Sequence, residues 1–267
     1  HKEIRMKKTL LILVLSGAVL GAVFAGGNAE TTTRRGNGAG NGAGSGTYQS
    51  GNGAGRQNGG GNNRKVSFSK DSKDNMSSVI KDIEVKELDA VEKAGILQMR
   101  EEEKLARDVY NTLYAKWNIP VFTNIARAEQ THMDAVGLLI ERYNLEDPIK
   151  TDIPGKFENE ELQKLYDSLT EKGSASLTDA LTVGATVEDL DIADLEKLIA
   201  QTDNDDITII YQNLNKGSRN HMRSFYSQLE RNNSGYKAQF ISSDYLNKII
   251  KSNRETGTVI TDPNFTF

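Results

Sequence analysis

The sequence predicts an all-α protein built on a four-helix bundle, and three observations support this fold class. From about residue 75 onward, apolar side chains recur at alternating spacings of three and four, as on amphipathic helices. No alternating apolar run is long enough to form a strand of a sheet. Capping and helix-breaking residues divide the pattern into four long segments and one shorter segment. We therefore expect an extra short helix in the long connection between the second and third bundle helices.

The composition excludes several classes of function. The 267 residues include no cysteine, so the chain can form no disulfide, zinc ribbon, iron–sulfur cluster or thiol nucleophile. The net charge of −4 argues against a nucleic-acid partner.

Residues 1–25 have the pattern of a cleaved secretory signal peptide. Two lysines after Met6 precede an uncharged apolar run, which ends in small residues suitable for cleavage. The run is short for a membrane span, although an uncleaved anchor is the alternative. The mature protein is thus predicted to be secreted or periplasmic, with no membrane contact after signal cleavage.

Residues 26–74 are predicted to form a linker rich in glycine and asparagine. The pentapeptide Gly-Asn-Gly-Ala-Gly occurs at 36–40 and again at 51–55. Such a segment has no apolar side chains to bury, so we expect a disordered tether.

The first long helix is predicted from about Lys86 to Lys116. Its apolar stripe is interrupted by one acid, Glu103, in a position where a core residue would be expected. The side chains that share this stripe are Met99, Glu103, Ala106, Tyr110, Leu113 and Trp117.

Pro120 predicts a break, after which the second helix begins near residue 122. Its apolar stripe contains Glu129 and His132, which are one helical turn apart and so project from the same face. A charge on a buried face is costly unless a partner neutralises it, and a metal ion is one such partner.

The connection that follows contains the predicted short helix. Asn159 is a suitable N-cap and Gly173 a suitable residue to follow the C-terminus. The third long helix opens with a capping box at Ser176–Asp179, and its stripe is interrupted by two acids, Glu188 and Asp191.

The fourth long helix opens at Asp203–Asp206, and its stripe carries Ser218 and His221 one turn apart. This helix completes the predicted bundle domain, residues 75–232. Residues 233–267 are predicted to be a tail that packs on the bundle.

A four-helix bundle brings the interrupted positions of its helices to a common level in the core. Four acids would meet there with no lysine or arginine on the same stripes, at a cost of several kcal/mol for each unpaired ion. Two divalent cations would neutralise them, with the imidazoles as neutral ligands. The alternatives are a hydrogen-bonded core network and pairing with Arg107 or Arg127. The candidate metal ligands are Glu103, Glu129, His132, Glu188, Asp191 and His221.

These motifs resemble the ferritin-like superfamily. The run from Glu103 through Ala106 to Tyr110 looks like the first ligand helix of rubrerythrins and ferritins, and Glu129-x-x-His132 matches their second. The resemblance implies a ferritin-like bundle in which Glu103 and His132 are terminal ligands and Glu129 is a bridge. By the same resemblance, Glu188 is a second bridging ligand, and Asp191 and His221 are terminal ligands of the second metal.

More narrowly, about 150 residues are similar to a bacterial ferritin-like family catalogued only as a domain of unknown function. The segments that carry this likeness are 119–122, 155–157, Gly184 and 217–221. Ser218 departs from the superfamily, which has a glutamate before His221, so one bridging carboxylate is missing. Because only 26 residues separate Glu103 from Glu129, we expect residues 117–122 to run back extended so that the ligands can meet.

The resemblance implies a dinuclear centre, with iron preferred to manganese, that reacts with O2 or H2O2 as a ferroxidase or peroxidase. Tyr110 is expected to support a ligand by a hydrogen bond, and Ser218 to lie beside the ligands. Because there is no cysteine, the rubredoxin-like electron donor of a rubrerythrin is absent. The alternative is a non-enzymatic helical binding or metal-sequestering module at the cell envelope. The sequence does not determine the oligomeric state.

Overall fold

The computed structural model of this protein describes residues 75–257 and 259–267, and every regular element in them is a helix. The all-α prediction is therefore confirmed for this part of the chain. A short helical segment spans residues 75–80. The remaining helices are α1 (Ala90–Trp117), α2 (Pro120–Arg142), α3 (Glu160–Gly173), α4 (Leu177–Ile199), α5 (Asp205–Arg231) and α6 (Ser243–Lys251).

The predicted signal peptide, residues 1–25, and the predicted linker, residues 26–74, lie outside the described residues. Among the helices that are described, none combines the length and the apolar character needed to cross a membrane. The prediction of export is thus untested by the structure.

The four long helices pack as a closed ring of neighbours. Helix α1 lies along α2 and α4 lies along α5, while contacts between α2 and α5 and between α1 and α4 join the two pairs. The short helix α3 packs against α1 and α4, as an extra helix in the connection between α2 and α4.

The core consists of two apolar clusters, and the predicted metal ligands fall between them. On α1, Met99 belongs to one cluster and Ala106 to the other. On α5, Leu214 and Met222 are divided in the same way. The interrupted positions of the helical stripes therefore form a polar layer across an otherwise apolar interior.

Helix α1 begins at Ala90, four residues later than predicted, because Asp89 is its N-cap. The Asp89 side chain accepts hydrogen bonds from the backbone N–H groups of Val91 and Glu92. In return, the Glu92 side chain accepts one from the backbone N–H of Asp89, which completes a capping box. The residues before Asp89 consequently lie outside the helix.

The turn between α1 and α2 is tighter than predicted, and the expectation of an extended segment over residues 117–122 is wrong. Asn118 ends α1 in the left-handed conformation with φ 51°, and Pro120 is the first residue of α2. Proline suits this position because its fixed φ is helical and the missing N–H would have no partner there. The turn lies midway between Glu103 and His132, so the antiparallel helices bring these two side chains to the same level.

Two capping predictions need correction. Helix α3 ends at Gly173, but Ser174 follows in a right-handed conformation, so the glycine supplies no left-handed turn. A Cβ at Gly173 would instead lie 2.6 Å from Leu113 Cδ2, which shows that close packing on α1 requires the glycine. At the start of α4, the predicted capping box is only half formed. The Ser176 side chain accepts a hydrogen bond from the backbone N–H of Asp179, as a capping box requires, but the Asp179 carboxylate accepts from the Ser176 hydroxyl, at 2.6 Å, and does not bond the backbone of the cap residue.

The residues after α5 pack on the four long helices through α6 and a buried acid. Asp189 of α4 is fully buried and accepts hydrogen bonds from the Tyr236 hydroxyl and from the backbone N–H of Gln239 and Ile241. Helix α6 lies against α5. One carboxylate thus anchors the start of the C-terminal segment to the core.

Candidate metal centre

Helices α1 and α2 bring together the first half of the site. His132 Nδ1 lies 3.2 Å from Glu103 Oε2 and 2.8 Å from Glu129 Oε2. Glu129 and His132 are one turn apart on α2, so both point towards α1. Because Glu129 and His132 share one face of α2, two carboxylates, those of Glu103 and Glu129, lie around one imidazole.

Helices α4 and α5 supply the second half. His221 Nδ1 lies 3.0 Å from Glu129 Oε1 and 3.4 Å from Glu188 Oε2. The two imidazole rings, of His132 and His221, stack with their centroids 5.4 Å apart. Glu129 thus presents one carboxylate oxygen to each imidazole, and an outer glutamate flanks each side.

All five side chains are buried, and no lysine or arginine forms a described ion pair with them. Exposure is 2 % or less for Glu103, Glu129 and Glu188, 6 % for His221 and 9 % for His132. Ligand atoms of Glu129, His132 and His221 all lie within 4.8 Å of one another. This buried group could hold a metal ion, since carboxylate oxygen and imidazole nitrogen are common metal ligands.

The electrostatics of the group favour neutral carboxyls at its outside and a charged carboxylate at its centre. Burial raises the pKa of Glu103 to about 8 and that of Glu188 to about 7. Burial also opposes ionisation of Glu129, but the adjacent His221 and His132 outweigh it and lower its pKa. Burial opposes protonation of His221 too, yet Glu129 and Glu188 raise its pKa to about 9.

Asp191 lies at the edge of the group and is only partly buried. Its carboxylate accepts a hydrogen bond from the fully buried Ser218 hydroxyl on α5, whose oxygen also lies 3.1 Å from the backbone oxygen of Leu214. Burial, and then the charges of Glu103 and Glu188, raise the pKa of Asp191 well above its usual value. Asp191 is therefore within electrostatic reach of the group, while its described hydrogen bond goes to Ser218.

Tyr110 forms a hydrogen bond with one of the carboxylates. Its hydroxyl donates to Glu188 Oε1 at 2.5 Å, and its ring packs against Phe225 with centroids 5.3 Å apart. Glu188 is consequently hydrogen-bonded by the phenol through Oε1, while its Oε2 lies 3.4 Å from His221 Nδ1. Helix α4 allows this packing because Gly184 leaves room for the Phe225 ring.

The alternative in which nearby arginines neutralise the buried acids does not fit. Arg107 binds Asp108 and Asp152, and Arg127 binds Asn124. Neither guanidinium has a described contact with a carboxylate of the group, so pairing with these arginines is excluded as the means of neutralisation.

Two buried atoms of the group have no hydrogen-bond partner among the described residues and fit a metal ion. Glu103 Oε1 has none, and His221 Nδ1 has none despite lying 3.0 Å from Glu129 Oε1, because its orientation does not give a hydrogen bond. Buried polar atoms in native proteins are normally satisfied. Cations that take a lone pair from each of these atoms would satisfy them, so the residues present fit this class of ligand.

Sequence reasoning missed the importance of Gly217. A Cβ at this position of α5 would lie 2.6 Å from His132 Cε1, so only glycine leaves room for the imidazole between α2 and α5. The signal was available, because a glycine in a helix interior costs about 1 kcal/mol relative to alanine and needs a reason. Gly217 lies just before Ser218 and one turn before His221, so its position beside the candidate ligands explains the glycine.

The fold and the site define a class: an all-helical protein whose buried core holds carboxylates and imidazoles in contact. The chain belongs to the family described as an uncharacterized protein domain (DUF2202), whose model matches residues 92–253. That range contains all six predicted ligands.

Two comparisons extend this family assignment. The chain is 58 % identical over 166 residues to the uncharacterized protein MJ0754 of Methanocaldococcus jannaschii, which covers 62 % of this chain and 90 % of that relative. It also resembles the crystal structure of hypothetical protein MJ0754 from Methanococcus jannaschii, with a TM-score of 0.64 and 55 % identity over 65 % of this chain and 99 % of the other.

Proposed function

We propose that this protein is an exported ferritin-like protein that holds two divalent metal ions in its core, with iron preferred to manganese. The ring of four long helices supports the ferritin-like assignment, because such bundles build metal sites from side chains on facing helices. The polar layer between the two apolar clusters lies where such a site belongs.

One observation carries the proposal: Glu129 presents its two carboxylate oxygens to two different imidazoles. Distances of 2.8 Å to His132 and 3.0 Å to His221 suit a carboxylate that would bridge two ions. Glu103 completes the His132 side and Glu188 the His221 side. A single metal ion would not require this duplication.

The residues divide into ligands and supports. Glu129 would bridge, Glu103 and His132 would hold one ion, and Glu188 and His221 would hold the other. The remaining candidate ligand, Asp191, is oriented by the Ser218 hydroxyl, and Tyr110 orients Glu188 by its hydrogen bond.

A pair of iron ions, when bound, supplies redox chemistry with O2 or H2O2. The protein contributes a site that excludes most water, since four of the five central side chains are at most 6 % exposed. It also contributes fixed orientation, because each imidazole uses Nδ1 towards the carboxylates. Ferrous-ion oxidation and peroxide removal are the two activities that this site would serve.

Export is the part of the proposal that depends only on the sequence. Residues 1–25 carry the signal-peptide pattern, so the mature chain should begin near residue 26. Mass spectrometry of the protein purified from its native cells should find this new N-terminus. Intact residues 1–25 on a cytoplasmic protein would contradict export and leave the metal proposal standing.

Elemental analysis after aerobic reconstitution tests the metal proposal. Protein loaded with ferrous iron and desalted should retain two irons per chain and absorb in the near-ultraviolet, and manganese should be retained more weakly. Less than one metal ion per chain would contradict the dinuclear centre.

Paired variants make this test specific. Glu129→Gln should reduce the retained metal below one ion per chain, because the neutral amide keeps only one oxygen and cannot bridge two ions. Asp206→Asn is the matched control, since Asp206 is a fully buried acid of α5 that pairs with Arg142, away from the site. Retention of two ions in Glu129→Gln would refute the bridging role.

The second candidate is a metal-free helical module in which the group is a hydrogen-bonded network. The contacts of 2.8 to 3.4 Å between imidazoles and carboxylates support it, because protons alone could neutralise the acids. Protein that takes up no metal, and whose imidazoles remain protonated by NMR, would favour this candidate. Stoichiometric metal without consumption of O2 or H2O2 would favour metal sequestration.

A further inference from the structure

A cavity of about 260 Å³ lies beside the proposed metal centre, partly open to solvent. Residues of α2 and α5 form its walls, and the short segment 75–80 and the C-terminal segment close its sides. The lining residues used below are Asn75, Thr131, His132, Asn213, Lys216 and Asn220.

The cavity meets the metal centre at one imidazole. Among the five central side chains, His132 is the most exposed, at 9 %, and it lines the cavity. Its Nδ1 faces Glu103 and Glu129, while the opposite edge of the ring lies against Gly217. Gly217 also lines the cavity, so the missing side chain keeps this edge of the ring accessible.

The lining does not suit a cation. Its polar groups are three asparagine side chains, one threonine hydroxyl and the His132 ring, and its charged side chain is Lys216. No carboxylate lines the cavity among the residues that the structure describes. Routes for cations are lined by Asp and Glu, whereas Lys and Arg line routes for anions.

We propose that this cavity admits a small hydrogen-bonding solute without positive charge, of the size of hydrogen peroxide or azide, to the His132 side of the centre. This inference rests on the proposed function for the identity of the site that the solute reaches. The cavity has room for such a molecule together with several waters, since one water needs only about 10–15 Å³ measured in the same way. Divalent metal ions do not load through it.

The first experiment uses metal-free protein, so its result does not depend on metal binding. Azide is titrated into ¹⁵N-labelled protein, and we expect saturable shifts of the amides of residues 131–135 and 216–220. Thr131→Trp, which fills the cavity from α2, should abolish them. Arg127→Trp, an exposed position one turn earlier on the same helix, should leave them unchanged.

A second variant keeps the test decisive if the tryptophan disturbs folding. Lys216→Gln leaves the cavity open but removes its charge, and should weaken azide binding about threefold, the effect expected of one partly exposed charge. Absence of saturable shifts in the wild type, or unchanged azide binding in both cavity variants, would overturn the proposal.

The second experiment uses iron-loaded protein and stopped-flow absorbance. Thr131→Trp should slow azide association about tenfold, equivalent to about 1.4 kcal/mol in barrier height. The rate of ferrous-ion uptake should stay as in Arg127→Trp. Equal slowing of azide and iron entry would refute the selectivity, whereas failure to retain iron in every variant would refute the proposed function instead.

Discussion

Glu103 and Lys104 are adjacent on α1 and each is 2 % exposed, yet their charges are balanced in different ways. Lys104 donates to the Asp108 carboxylate at 2.6 Å and to two backbone oxygens of the segment that connects α2 and α3. Arg107 joins Asp108 to Asp152 of the same segment. We call Lys104, Arg107, Asp108 and Asp152 the clamp cluster.

The clamp cluster contains two cations and two acids, so it is neutral without any ligand. The proposed metal cluster, Glu103, Glu129, His132, Glu188 and His221, has acids and imidazoles but no lysine or arginine among its described ion pairs. A neutral cluster holds backbone segments in place, whereas a buried cluster short of positive charge needs protons or metal ions. Charge balance therefore distinguishes the clamp cluster from the proposed metal cluster.

The largest expected effect is a loss of folding stability when the clamp cluster is disrupted. Asp108→Ala should lower the free energy of unfolding by about 3 to 5 kcal/mol, because Lys104 remains buried without its carboxylate. Urea unfolding followed by circular dichroism measures the change. Glu146→Ala removes an exposed ion pair with Lys150 and should change the free energy of unfolding far less, because solvent screens that pair. Equal losses in the two variants would show that the clamp cluster is not a special structural element.

Metal removal should lower the free energy of unfolding through the proposed metal cluster and leave the clamp cluster unaffected. Free metal at about 100 times its dissociation constant adds about 2.7 kcal/mol to stability, and a chelator should remove that gain. Glu129→Gln should show no such gain, because it no longer binds the ions. Asp108→Ala should keep the metal-dependent gain in stability if the two clusters are independent. Thermal unfolding of each variant with and without metal measures this gain.

A smaller effect should follow from crowding the imidazole. Gly217→Ala places a methyl group against His132 and should weaken metal binding about tenfold, the scale for disturbing the support of a ligand. Gly235→Ala is the matched control, because a Cβ there meets nothing within 4 Å. Calorimetric titration with metal gives both affinities, and equal values would show that Gly217 does not position the ring.

The smallest effect is a difference in pH dependence between metal-free and loaded protein. The raised pKa values of Glu103, about 8, and His221, about 9, favour protonated forms in the folded state. Their contribution is fully present below the unfolded-state values of 4.5 and 6.5, and it is lost progressively as pH rises from there to the folded-state values of about 8 and about 9. Metal-free protein should therefore lose stability over this range.

Loaded protein should behave in the opposite way, because metal binding displaces those protons and strengthens as pH rises. In the clamp cluster, Arg107 lowers the pKa of Asp152, so that contribution is lost only as pH falls towards the acid range. Melting temperatures measured across pH with and without metal test both signs. Parallel profiles would contradict the linkage between protons and metal.

Much of the site could be predicted because it depends on local spacing. Glu129 and His132 share a helical face whatever the tertiary structure is, and an acid on an apolar stripe is visible in the sequence. Glu103, Glu129, His132, Glu188 and His221 do meet in the core. Asp191 shows the limit of this reasoning, because its hydrogen bond to Ser218 depends on how α4 faces α5.

The sequence by itself determined the helices and the positions at which polar residues interrupt them, because helical periodicity and capping are local properties of the chain. Only the tertiary structure decided that Glu129 lies between two imidazoles, that Gly217 makes room for His132, and that a cavity opens there. These features arise from contacts between helices distant in sequence. Their geometry depends on how the side chains pack, which no local pattern encodes.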